Sequence, residues 1–189
     1  KKLQLQYDLM IKEQLDFVMS NYIVNDLVNN KKYSVCLNRF INGFSKEIVL
    51  APGPFLQCCL FKKEFVLKNM VLFDCAAEPS EDWDWFISIS KQKLIFNNIK
   101  EPLFQWNLSS VSQSSNLIKE TSAIEYILKK HFDYFQKNSC NQNISLQYRR
   151  LGGMFYKNKN FQKSKHYYSL AFLKNPFSVK NIILKCFYG

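Results

Sequence analysis

Three carboxylates and two tryptophans occupy five consecutive positions, Glu81-Asp82-Trp83-Asp84-Trp85, within the stretch AAEPSEDWDWFISIS. Three readings suit such a group. The first involves no chemistry: Pro79-Ser80 makes a helix start, and the helix dipole stabilises acids in a first turn by roughly 0.3–1 kcal/mol each. The second is metal binding, since Asp82-Trp83-Asp84 is formally D-x-D. On a helix, side chains two residues apart point about 200° from each other, so these carboxylates meet at one ion only if the segment is a loop. The third is proton abstraction. Helical spacing puts Asp82 on the face of Trp85, Phe86 and Ile89. One carboxylate then heads an apolar stripe, where partial desolvation raises its basicity. Tryptophans beside it can stack on the C–H faces of a sugar.

The elements that must position this group follow from periodicity and turn residues. KLQLQYDLMIKEQL carries Leu5 and Leu9 at helical spacing, DFVMSNYIVND predicts a strand, Asn29-Asn30-Lys31 a turn, and KYSVCLN a returning strand. APGPF, residues 51–55, predicts a loop made rigid by two prolines. FLQCCLF predicts a buried strand, with a short helix over 62–68 after it. Beyond the acidic helix, KLIFNNI and PLFQWNL predict two short strands broken near Lys100. SSVSQSS, residues 109–115, predicts a polar loop that caps a long helix over 116–136. KNSCNQN, residues 137–143, is the expected linker, and everything after residue 112 is expected to be helical.

Bulk composition limits the classes. With 47% hydrophobic and 22% charged residues the chain is globular rather than disordered. No run of about 18 apolar residues is present to span a bilayer. The opening KKLQLQ lacks a methionine and reads as the interior of a longer protein, so a missing targeting signal carries little weight. Six cysteines form no C-x-x-C pair, and only His131 and His166 could complete a zinc site, so no metal site is expected in this chain. Cys58 and Cys59 read as reduced thiols on opposite faces of a buried strand, which favours a cytoplasmic location.

The net charge of +11 is uneven. Asp133 is the last acid, and Lys137, Arg149, Arg150, Lys157, Lys159, Lys163, Lys165, Lys174, Lys180 and Lys185 follow it. Such a tail suits an anionic membrane surface, a partner protein or nucleic acid. A general lysine- and asparagine-rich habit of the chain accounts for it equally well. Nucleic acid ranks last, because no recognised nucleic-acid motif accompanies the charge.

The tail has a second pattern. In a 34-residue window starting at Ser145, Tyr148, Leu151, Gly152, Phe155, Ser164, Tyr168, Ala171 and Pro176 occupy the eight signature places of a tetratricopeptide unit. Gly152, Ser164 and Ala171 let two antiparallel helices approach closely while the aromatics fill the space between them. PFSVKNIILKCF supplies a third helix. The segment resembles one tetratricopeptide unit, which cannot bury its face alone and so requires a partner or the preceding domain.

Residues 1–112 resemble the C-terminal half of a family 2 glycosyltransferase, an inverting enzyme of the GT-A fold. KKLQLQ resembles the K-L-x-x-Q segment that follows the family's D-x-D, and DFVMSNYIVND the strand and turn after it. FLQCCLFKKEFV resembles the strand ending in a basic pair, EDWDWFISIS the E-D helix, and NNIKEPLFQWNLSSVS the strands that lead into an S-x-S loop. The resemblance implies that Asp82 is the base that deprotonates the acceptor hydroxyl, that Glu81 orients the acceptor or its loop, and that Trp83, Trp85 and Trp106 are candidates for the acceptor wall. Core packing is an equal expectation for each tryptophan, and Asp84 is expected to be a solvated helix residue.

The resemblance also implies a nucleotide-sugar donor and Mg²⁺ or Mn²⁺, whose main ligands would lie upstream of Lys1; no cofactor-binding residue of this chain is identified. The acceptor would be a glycan, a lipid-linked saccharide or a protein, handled in the cytoplasm or peripherally at the inner face of the membrane. Ser88 and Asn107 stand where many relatives carry arginines that offset diphosphate or carboxylate charge, and no histidine lies near the S-x-S loop. The fold class expected is α/β: the acceptor-side half of a GT-A glycosyltransferase domain over residues 1–112, a connecting helix and linker over 113–143, and an all-α tetratricopeptide-like module over 144–189. A different class stays open, a non-catalytic interaction module that uses the basic helical tail.

Overall fold

Phe17–Asp26 (β1) is the strand around which the first half of the chain is organised, in a computed structural model that describes residues 1–109 and 116–188. The chain is mixed α/β and divides into two compact units, one of Lys1–Asp74 with residues 82–109, the other of Cys75–Glu81 with residues 116–188. In the first unit α1 (Lys2–Glu13) precedes β1, and β2 (Lys31–Val35), α2 (Phe44–Leu50), β3 (Cys59–Phe61), α3 (Lys63–Lys68), α4 (Glu81–Ser90, from Asp82 onward in this unit) and β4 (Phe96–Leu108) follow it.

β1 pairs antiparallel with β3 through its first residues (Phe17 opposite Phe61) and with β2 through its last (Asp26 opposite Lys31). Its other edge pairs in parallel with β4 along its whole length. Hydrophobic side chains therefore line both faces of β1, as a central strand requires. The turn into β2 is closed by Asp26, whose carboxylate accepts from the backbone of Val28 and Asn29 and from the Asn29 amide. The Asn29 hydrogen bonds hold this carboxyl below its usual range. Asn30 takes the left-handed conformation, φ 51°, that asparagine tolerates.

Where two strands were expected around Lys100, the structure has one strand with a bulge. Ser20 lies opposite Ile99, Asn21 opposite Pro102 and Tyr22 opposite Phe104, so β4 carries extra residues across this point. Proline has no N–H to give a ladder and is at home in a bulge. The Asn21 side chain reaches the orphaned carbonyl of Lys100 at 2.8 Å, so the break costs no buried acceptor. FLQCCLF also departs from expectation: Leu56–Cys58 is a single 3₁₀ turn, and only Cys59–Phe61 is strand.

The core of this unit is aromatic. Phe17 is stacked between Phe61 and Phe96 at ring distances of 5.0 and 5.2 Å, and meets the edge of Phe44. Phe86 of α4 closes over Phe61 and Phe44, and Gly53 lies so close to Ile48 and Phe86 that a Cβ would meet them at 2.6 and 3.3 Å. The 51–55 loop is thereby pinned against α4. All six cysteines are free thiols, and burial pushes that of Cys58 up to about 12.

The second unit consists, after a 3₁₀ turn at Cys75–Ala77, of α5 (Leu117–Lys130), α6 (Phe132–Asn138), α7 (Asn141–Lys157), α8 (Phe161–Lys174) and α9 (Val179–Tyr188). The expected single helix over 116–136 is broken at His131, which ends α5 and starts α6. The expected linker over 137–143 is mostly helical, leaving only Ser139 and Cys140 between α6 and α7. The boundary also differs from the expected one. α5 belongs with the later helices, since Asn158 donates to Thr121 and both Lys163 and Tyr167 donate to Glu125. α7 and α8 fold back on each other across three residues, with Leu151, Gly152, Phe155, Ser164, Tyr168 and Ala171 all in their packed faces.

Candidate functional site

α4 begins where the sequence reading placed it, one residue after Pro79-Ser80. Its ten residues EDWDWFISIS bury Trp83, Asp84, Trp85, Phe86, Ile87, Ile89 and Ser90, so the helix is held on more than one side and its head, with Ser88, remains partly open. Glu81 and Asp82 are the half-buried residues of that head. Asp82 accepts from the backbone N–H of Trp83 at 2.7 Å, an N-terminal amide that needs an acceptor. Glu81 Oε2 is buried without a hydrogen-bond partner.

Two expectations are corrected here. Asp84 is not a solvated helix residue: it is 0% exposed. Because the segment is helical, Asp82 and Asp84 diverge, and among the described residues no group of three or more His, Cys, Asp or Glu side chains is gathered to hold a metal ion. Trp83 and Trp85, read as acceptor-wall candidates, are 1% and 3% exposed and offer no ring face to a solvent-borne ligand. The Trp83 indole donates to Ile48 O at 2.7 Å and the Trp85 indole to Val71 O at 3.0 Å. Trp85 also stacks on Phe73 at 5.4 Å and meets Phe61 edge-on at 4.7 Å. Both tryptophans anchor α4.

Trp106 is in a different setting. It is half-buried on β4, 4.8 Å from the Phe55 ring, in a group completed by Tyr22 and Phe104. Tyr22 faces Phe104 and Val24 faces Trp106 across the β1–β4 ladder, so these side chains rise from one face of the sheet. Lys2 borders the group, 6.0 Å from the Phe104 ring, and its ammonium donates to the Gln57 carbonyl. Burial raises the Tyr22 hydroxyl above its ordinary value. The structure thus keeps Asp82, Glu81, Trp83 and Trp85 on one helix and places Trp106 in this separate aromatic group. Tyr22, Phe55 and Phe104 were not singled out from sequence, although the i, i+2 spacing of Phe104 and Trp106 in PLFQWNL carried the signal. Ser88 is half-buried on α4 and Asn107 exposed on β4, where Asn25 and Gln105 donate to it. The S-x-S loop falls, beyond Ser109, outside the described residues.

Two clefts of the first unit lie on other walls. One, of about 440 Å³, runs along α1 between Tyr7, Met10, Ile11 and Leu60. The other, of about 470 Å³, is lined by Asp16, Lys62, Glu64, Phe65, Lys68 and Lys93. Asp82 lines neither.

In the second unit the main electrostatic feature is Glu125. Its carboxylate accepts from Lys129 at 2.9 Å, Lys163 at 2.7 Å and Tyr167 at 2.7 Å. Burial works to raise its pKa, and the three donors outweigh burial to bring it to about 2. The same contact pushes the Tyr167 hydroxyl well up, burial being the larger cause. With every group paired, the cluster is a fastening between α5 and α8. Among the described residues no helix is long and apolar enough to cross a membrane.

No protein-family model matches the chain, and no curated protein matches it.

Proposed function

We propose that this chain carries the acceptor-side half of an inverting, nucleotide-sugar-dependent glycosyltransferase of the GT-A fold, with Asp82 as its general base and a tetratricopeptide-like unit after it. The observation that supports this reading most is the division of labour along α4. Trp83, Asp84, Trp85 and Phe86 are buried, whereas Asp82 stays half-open at the helix head. A carboxylate there is fixed in position and still reachable. It accepts the proton of the acceptor hydroxyl while that oxygen bonds to the anomeric carbon and the bond to the nucleoside diphosphate breaks, inverting the centre. Glu81, at the same helix head, supports the acceptor, and no acceptor wall is assigned, since Trp83 and Trp85 are buried and Trp106 stands in the separate aromatic group of Phe55 and Phe104.

The resemblance implies Mg²⁺ or Mn²⁺, which supplies leaving-group stabilisation when bound. The described residues gather no ligand set for it. The acceptor class is a glycan, a lipid-linked saccharide or a protein. The test is Asp82→Asn in the complete protein, assayed for transfer and for donor binding across nucleotide sugars. A positioned base contributes about 10²–10⁴-fold, so transfer falls by that factor with donor binding retained. Transfer near the unmodified rate removes the assignment.

A second reading, a non-catalytic interaction module, is favoured by the ten basic residues after Asp133 with no acid among them. A protein that binds a partner through this tail and transfers no sugar from any donor selects it.

A further inference from the structure

We propose that the outward face of α9 docks the protein on an anionic lipid surface, a role independent of the transferase reading. The rotation of α9 about its axis is set by the one residue it buries. Asn181, 1% exposed, donates to Ser145 Oγ at 2.8 Å, to Ala171 O at 3.0 Å and to Asn175 O at 2.8 Å. Tyr188 packs on the same side, its ring 4.9 Å from that of Tyr156.

At 100° per residue, Val179, Ile182, Ile183, Cys186 and Phe187 then fall on the face turned away from Asn181. All five are exposed, Val179 at 69% and Phe187 at 76%, and Phe177 just before the helix is 92% exposed. No polar residue interrupts this stripe. Lys180 borders it on one side, whereas Lys185 falls within about 40° of Asn181 and holds its ammonium 4.2 Å from the Phe172 ring of α8.

An apolar stripe with a lysine at its edge is the pattern of a helix lying in the plane of a bilayer: the stripe enters the acyl boundary while the Lys180 ammonium stays at the headgroups. The ten residues of α9 span about 15 Å, too short to cross a bilayer and enough to lie on one. Charge selects the occupant. The chain from 134 to its end holds ten basic residues and no acid, so an anionic surface is attracted from a distance. A second copy of the chain would bring a like-charged face.

The experiment is co-sedimentation of the complete chain with vesicles of phosphatidylcholine alone and of phosphatidylcholine mixed with phosphatidylglycerol, at physiological salt. The chain is expected to pellet with the mixed vesicles and to remain in solution with the neutral ones. Ile183→Ser/Phe187→Ser changes only exposed side chains and is expected to bind about tenfold or more weakly. Lys180→Glu/Lys185→Glu is expected to weaken binding and to flatten its dependence on salt. Leu67→Ser, which removes an exposed apolar side chain in the first unit, leaves binding unchanged. The proposal is overturned by absence of binding to the mixed vesicles, by full binding of Ile183→Ser/Phe187→Ser, or by a chain dimer in free solution that this double variant dissolves.

Discussion

The indole N–H of Trp83 donates to the carbonyl oxygen of Ile48 at 2.7 Å, joining α4 to the last turn of α2. A tryptophan next to an acid invites a binding role, but this one has used its polar edge and buried its rings. Trp83→Phe leaves the Ile48 acceptor unpaired in the core. The expected loss is about 1–3 kcal/mol of stability, read from denaturant unfolding, with no effect specific to a ligand. A variant as stable as the parent but weakened in acceptor binding returns Trp83 to the acceptor wall.

Gly152 makes a second contact with no slack. A Cβ built there would lie 2.8 Å from Tyr168 Cδ1 and 2.9 Å from Cε1, atoms of a ring that is itself buried. Gly152→Ala forces α7 and α8 apart or turns the ring, and overpacking of this kind costs about 1–3 kcal/mol. Tyr168→Leu removes the obstruction, so the double variant Gly152→Ala/Tyr168→Leu should be more stable than the sum of the two single changes predicts. Strict additivity in the cycle refutes the steric account.

Glu125 makes the second unit sensitive to acid. Its carboxyl is lowered from 4.5 to about 2 when folded, so the folded state binds the proton less readily than the unfolded chain does. Its contribution is fully present above pH 4.5 and is lost as pH falls from there towards about 2. Stability measured along this range should decline for the parent and more gently for Glu125→Gln, which keeps the shape and removes the titration. Parallel pH profiles for the two proteins refute the linkage.

Much of this architecture is written locally. The apolar, β-branched and aromatic run of DFVMSNYIVND before a turn, the acid-rich start of α4 and the small residues Gly152, Ser164 and Ala171 each predict what is found, because each depends on neighbours a few residues away. The errors arise where distant residues decide. Asp84 reads as solvated because a charge on a short helix normally faces water, and its burial is set by elements that pack over α4. The break at His131 is hidden because Ile124, Ile127, Leu128 and Phe135 keep an apolar rhythm across it. The fusion of two strands into β4 depends on Asn21, a residue of another strand that closes the bulge. The tryptophans show the limit most plainly, since ring chemistry is the same in a core and in a binding wall, and only Trp106 is left partly open.

Asn181 supplies the last test. It is the residue α9 buries, and its amide reaches acceptors on α7, on α8 and in the connection after α8. Arg149 approaches its carbonyl oxygen at 3.3 Å, so both ends of the amide are engaged. Leucine has the same branching and none of these bonds. Asn181→Leu therefore removes the polar bonds that tie α9 to α7 and α8, at an expected cost of about 1–3 kcal/mol. The cost should fall on α9 before it falls on the rest of the unit, because α7 and α8 keep their own contacts without it. Hydrogen exchange resolved by residue is the measurement: amides of 182–188 should lose protection while those of 151–155 keep theirs. Uniform loss across both segments shows that α9 folds as one body with the helix pair, and unchanged exchange shows that the polar latch does not hold it.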